Sequence, residues 1–86
     1  MSKKIIDLSE VKRLLDLVMS EMYETVDKLG EDARFNSPHE GYAVILEELD
    51  EMWEAIKKKD ISHSRKEAIQ VAATAVRYLY DFTDSK

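Results

Sequence analysis

Ser37-Pro38-His39-Glu40-Gly41-Tyr42-Ala43-Val44-Ile45-Leu46-Glu47-Glu48-Leu49-Asp50-Glu51-Met52-Trp53-Glu54 opens with a helix start and continues as an amphipathic, carboxylate-rich helix. Ser37 is a good N-cap, Pro38 suits the first helical position, and Glu40 stands where a capping-box carboxylate reaches back to the cap's own N–H. At about 100° per residue, Tyr42, Ile45, Leu49, Met52, Trp53 and Ile56 fall on one face. Glu40, Glu47, Glu51 and Glu54 line the opposite face, and Glu48 lies at the edge of the apolar stripe.

Residues three and four apart are neighbours on a helix surface, so Glu47 with Glu51, and Glu48 with Glu51, each aim two carboxylates at one spot. Unscreened like charges at that spacing cost a few tenths of a kcal/mol per pair. A hard divalent cation reverses that cost, because Mg²⁺ takes oxygen ligands and is held by a few carboxylates together with substrate phosphates. A solvated acidic face is the plain alternative, since surface helices are routinely Glu-rich. Spacing alone leaves both open.

Outward from this helix the chain stays helical. Upstream, Leu8, Val11, Leu15, Val18, Met22 and Leu29 keep a near-heptad spacing, widened by Leu14 and Val26, which predicts a bundle helix over 8–29. Asp7 with Glu10 caps its start, Ser9 being a competing start, and Gly30 stands where a left-handed C-cap is expected. Residues 1–7 read as a short arm, with Ile5 and Ile6 packing back on the first helix. The connection from Gly30 to Asn36 is long for a helix hairpin, and loops of this kind often carry function; Phe35 within it reads equally as a small core plug.

The acidic helix is expected over 38–59, closing on Lys57-Lys58-Lys59, which complements the negative end of its dipole. Ser64 with Glu67 makes a second capping box, so the third helix is expected over 65–82. Ile69, Ala72, Ala73, Val76, Leu79 and Tyr80 form one strip on it, and Val71, Tyr78 and Phe82 form another. Two strips exceed what two short neighbouring helices cover, so the second is expected to pack on another subunit. Residues 83–86 read as a frayed tail. The fold class is all-α: a three-helix chain forming an antiparallel helical bundle completed by dimerisation.

Composition narrows the function. With 86 residues the chain is a single domain of modest core, and folded chains this small bury only about 60% of their unfolded surface. There is no Cys, so disulfides and thiolate metal sites are excluded, and a metal must take oxygen or imidazole ligands. A net charge of -5 argues against nucleic-acid binding, which draws its affinity from Lys and Arg on phosphates. No apolar run approaches the roughly 20 residues that span a bilayer, and the first residues lack a signal peptide's apolar centre, so a cytoplasmic protein is expected, with no membrane partner.

Glu47-Glu48-Leu49-Asp50-Glu51 on one helix, followed after a turn by Glu67-Ala68-Ile69-Gln70, resembles the signature of the MazG-like all-α nucleoside triphosphate pyrophosphohydrolases, especially their short phage-type members. That signature is Glu-Glu-x-x-Glu on one helix and Glu-x-x-Asp on the next, and the resemblance covers 37–82. It implies a helical bundle working as a homodimer or homotetramer. It also implies hydrolysis of a nucleoside triphosphate between the α and β phosphates, giving a monophosphate and pyrophosphate. Glu47, Glu48, Glu51 and Glu67 would then be catalytic groups and ligands of Mg²⁺, with Mn²⁺ as a substitute.

Gln70 departs from the pattern, which has Asp there. The change removes a negative charge and puts a weaker amide ligand in its place. Three readings follow: Glu54 or Asp50 makes up the charge, Gln70 contacts substrate, or the domain binds nucleotide without hydrolysing it well. Arg77, Arg65 and Lys66 are the candidate phosphate contacts, and an intrahelical pair with Asp81 is the other reading of Arg77. Trp53 reads as core before base stacking, Tyr78 and Phe82 as interface, and His39 as a phosphate contact or an exposed first-turn residue; His63 is assigned no role. Two further readings compete: a phosphoribosyl-ATP pyrophosphohydrolase-like enzyme, and a non-catalytic helical dimerisation or regulatory module.

Overall fold

A computed structural model describes residues 5–83. Among them are three α-helices and no strand: α1 (Leu8–Leu29), α2 (Pro38–Lys57) and α3 (Ile61–Asp81), with a 3₁₀ turn, Gly30–Ala33, after α1. Asp7 caps α1, its carboxylate accepting from the Ser9 amide at 2.9 Å and the Ser9 hydroxyl at 2.6 Å. These bonds hold the Asp7 carboxyl below the usual carboxylate range. Gly30 ends the helix at φ 55°, as its position predicts. Of the expected arm and tail, 1–4 and 84–86 lie outside the described residues. Ile5 and Ile6 are exposed and do not pack on α1.

The caps of α2 and α3 explain where their ends differ from expectation. The Ser37 hydroxyl accepts from the Glu40 amide at 3.1 Å. Glu40 reaches back one residue further than a capping box requires, accepting from the Asn36 amide at 2.8 Å. α2 stops at Lys57 rather than 59 because Lys59 turns to φ 60°, letting the Asp60 amide bond the Ala55 carbonyl at 2.9 Å. Asp60 then caps α3, accepting from the His63 amide at 3.0 Å, so that helix starts at Ile61 and not 65. Ser64 lies inside the first turn and donates to the Ile61 carbonyl at 2.8 Å. Its partner in the expected box, Glu67, is left to point elsewhere.

α2 packs along α3, and α1 rests on α3. The α2 face turned to α3 is small and mixed: Gly41 and Ala55 are buried, with Ile45, Glu48 and Met52 half-buried between them. Ala73 and Thr74 are buried opposite. Tyr78 lies so close to Gly41 that a β-carbon there would meet its ring, and Phe82 stacks on Tyr78 at 4.8 Å between centroids. The strip expected to meet another subunit therefore packs partly within the chain, and Val76, Leu79 and Tyr80 of the other strip are exposed. Trp53, expected in the core, is 55% exposed. The buried hydrophobic residues among those described are Ala33, Phe35, Ala55 and Ala73.

The 30–36 connection is anchored to the far end of α3. Arg77 donates to the Ala33 carbonyl from Nε at 3.0 Å and Nη2 at 2.8 Å, and its guanidinium lies 4.5 Å from the Phe35 ring centroid. Asp81 accepts from the Phe35 amide at 2.7 Å and pairs with Arg34. Neither partner is the intrahelical Arg77–Asp81 pair that four-residue spacing allows.

Candidate functional site

Carboxylates of α2 and α3 are turned toward the contact between these helices. Glu67 projects from the second turn of α3 into the contact and is buried, and its Oε2 has no hydrogen-bond donor. Its Oε1 lies 3.1 Å from Nε2 of His63, one turn back. The neighbouring Glu67 carboxylate pushes the Glu51 carboxyl above the usual range; Glu47 adds to the rise and His63 opposes it.

Glu48 stands on the inner side of the same cluster. Its Oε1 is buried without a donor. Burial raises its carboxyl, the Thr74 hydroxyl and the Arg77 charge lower it, and Glu67 and Glu51 raise it further. Burial wins. Glu54 pairs with Lys57, which lies 2.7 Å from its Oε2 and holds that carboxyl low.

Glu48 also opens onto a groove of about 800 Å³ between α1, the 30–36 connection, α2 and α3. Gln70 and Arg77 line it from α3, Glu40 from α2, and Thr25 and Lys28 from α1. Gln70 thus stands beside the acidic cluster with an amide, not a carboxylate. Arg77 faces the groove while its guanidinium is tied to the Ala33 carbonyl. Arg65 and Lys66 are exposed on the first turns of α3, outside the groove. His39 is exposed on the first turn of α2 and also stands outside it.

The donor chemistry suits a hard divalent cation: oxygen ligands from two helices, two of them buried and without a donor. As placed, no three Asp, Glu or His side chains among the described residues are grouped to hold a metal ion. The contact of His63 with Glu67 was not foreseen, although their four-residue spacing was the available signal. Gly41, which lets Tyr78 approach, gave no comparable signal.

Against family models, curated proteins and solved structures the chain has no match. The likeness to the MazG-like enzymes therefore rests on the two acidic motifs and their placement.

Proposed function

We propose that this protein is a divalent-cation-dependent nucleoside triphosphate pyrophosphohydrolase of the MazG-like kind, an antiparallel helical bundle completed by a second copy. The observation that carries the reading is the burial of Glu67 on α3, with an oxygen that lacks a donor, where α3 packs on α2 and Glu48 likewise buries an oxygen without a donor. A merely solvated acidic face has no reason to bury a carboxylate with an oxygen lacking a donor, since that costs free energy unless something neutralises it. Bound Mg²⁺ would neutralise the polyphosphate and sharpen its electrophilic phosphorus. Glu47, Glu48, Glu51 and Glu67 would hold it, with Mn²⁺ as a substitute.

The chain's own groups supply the rest. The substrate lies in the groove beside Glu48, with Gln70 as a neutral contact and Lys28 and Arg77 as nearby cations. Glu51 orients a water and takes its proton as the general base. The water oxygen bonds to phosphorus at the α–β bridge as the bridging P–O bond breaks, and pyrophosphate leaves. Phosphate release after added inorganic pyrophosphatase, measured over a panel of ribo- and deoxyribonucleoside triphosphates with Mg²⁺, tests this. Glu51→Gln should lose more than about 100-fold, beyond what removal of a supporting neighbour usually costs, with its helical circular dichroism intact. A folded wild type inactive on the whole panel, or an unimpaired Glu51→Gln, overturns it.

A further inference from the structure

Where α3 begins decides what Glu67 meets. A helix begun at Arg65, with Ser64 as its cap, would leave His63 outside it. Asp60 is the cap instead, and its carboxylate accepts from the His63 amide at 3.0 Å. His63 therefore stands in the first turn, four residues before Glu67 and on the same face. Its Nε2 lies 3.1 Å from Glu67 Oε1. A carboxylate oxygen only accepts, so the imidazole donates this bond from Nε2.

The two oxygens of Glu67 are thereby made unequal. Oε1 has the imidazole, whose own side chain is 55% exposed, while the Glu67 side chain is only 9% exposed and its Oε2 is buried without a donor. The positions that share a face with Glu67 on its own helix hold His63, Ser64, Gln70 and Val71, none of them a permanent cation. Ser64 is already spent on the Ile61 carbonyl. Arg65 and Lys66 stand too near in sequence to share that face, and both are exposed. Glu67 is thus given a directional donor without a fixed positive charge.

That combination suits a carboxylate that takes up a cation. Ligating carboxylates are themselves hydrogen-bonded by outer partners, which fix their orientation. A Lys or Arg in that place would also hold the carboxylate, but its charge would repel the arriving ion. An imidazole donates from Nε2 while neutral.

We infer that His63 is the positioning residue of the cation site: its Nε2–H holds Oε1 of Glu67 and leaves Oε2 to bind the cation. This deepens the cation-binding part of the proposed function and does not depend on hydrolysis. His63 acts through Glu67 and touches neither substrate nor cation itself.

Binding of Mn²⁺ alone to the full-length chain, followed at pH 8 through the electron paramagnetic resonance of the free ion, gives the test, with circular dichroism to check the fold of each variant. The wild type should bind. His63→Leu removes the donor and should weaken binding about 10–100-fold, the usual cost of losing such a partner. His63→Gln, whose amide nitrogen reaches about as far as Nε2, should retain most of the affinity. His63→Lys keeps a donor but fixes a charge beside Glu67, and should weaken binding at least as far as His63→Leu. A contact that served only to neutralise Glu67 would give the opposite order, with Lys the best replacement. If His63→Leu does not fold, His63→Gln against His63→Lys decides, since both are good helix formers. Affinity unchanged in His63→Leu, or restored by His63→Lys, overturns the role of His63 and leaves the cation site standing. His63→Gln as weak as His63→Leu also overturns it, and marks the imidazole as a ligand in its own right. A folded wild type that binds no Mn²⁺ overturns the cation site, and the proposed function with it.

Discussion

A β-carbon on Gly41 would come within 2.6 Å of Tyr78 Cδ2 and 3.3 Å of Phe35 Cδ2. The nearer atom belongs to a ring that also packs on Phe82, which resists its turning aside. Gly41→Ala gains about 1 kcal/mol of helix propensity, but overpacking a fitted contact costs about 1–3 kcal/mol. A net loss of about 1 kcal/mol is expected, which lowers Tm by about 4–8 °C; an unchanged or higher melting temperature by circular dichroism would show the contact to be loose. The carboxylates of the site were legible in the sequence because charge and one-turn spacing mark them. Gly41 was not, because nothing in a sequence says which ring a missing side chain makes room for. Trp53 was misread for a related reason. Periodicity groups apolar residues by direction, and on α2 the inward direction belongs to Gly41, Ile45, Glu48, Met52 and Ala55, a face too small and mixed to stand out.

At the level of elements, the three helices could be foreseen, and where their ends moved the cause was a competing cap. Asp60 and Ser64 both satisfy the rule for an N-cap; the earlier one prevails, its carboxylate holding the His63 amide, and Ile61 to Ser64 contains no Gly or Pro to break the turn. The anchoring of the 30–36 connection was beyond sequence reasoning, since it joins residues 46 apart. It has a measurable hierarchy. The Asp81 side chain is 3% exposed and holds a backbone amide, whereas its partner Arg34 is 58% exposed. Hydrogen bonds to a charged group are worth about 1.5–3 kcal/mol, and exposed ion pairs about 0.2–1 kcal/mol. Asp81→Ala should therefore lose about 2–3 kcal/mol in urea melts, and Arg34→Ala no more than about 1 kcal/mol. Equal losses would mean that the ion pair, not the Phe35 amide, secures the connection.

Across the whole molecule, the site and the fold are linked through protons. Burial and neighbouring carboxylates raise Glu48, and Glu67 raises Glu51, above the usual range. An acid with a raised folded-state pKa binds more protons in the native chain than in the unfolded one, so stability falls as pH rises. The two groups impose no cost below the unfolded value of about 4.3; the full cost is present once pH exceeds their raised native values. A divalent cation held by these carboxylates would take the place of the missing proton. Mg²⁺ should therefore do little to Tm at pH 4 and raise it at pH 8. At a hundred times its Kd a bound ligand adds about 2.7 kcal/mol, which for a chain this short is on the order of 10 °C. Glu51→Gln removes the repulsion permanently, so at pH 8 its metal-free Tm should exceed the wild type's while its Mg²⁺ shift shrinks. Differential scanning fluorimetry at matched ionic strength separates cation binding from screening, because screening by NaCl would help every carboxylate on the surface alike. A Mg²⁺ shift reproduced by NaCl, or retained in full by Glu51→Gln, would place the cation outside the contact of α2 with α3.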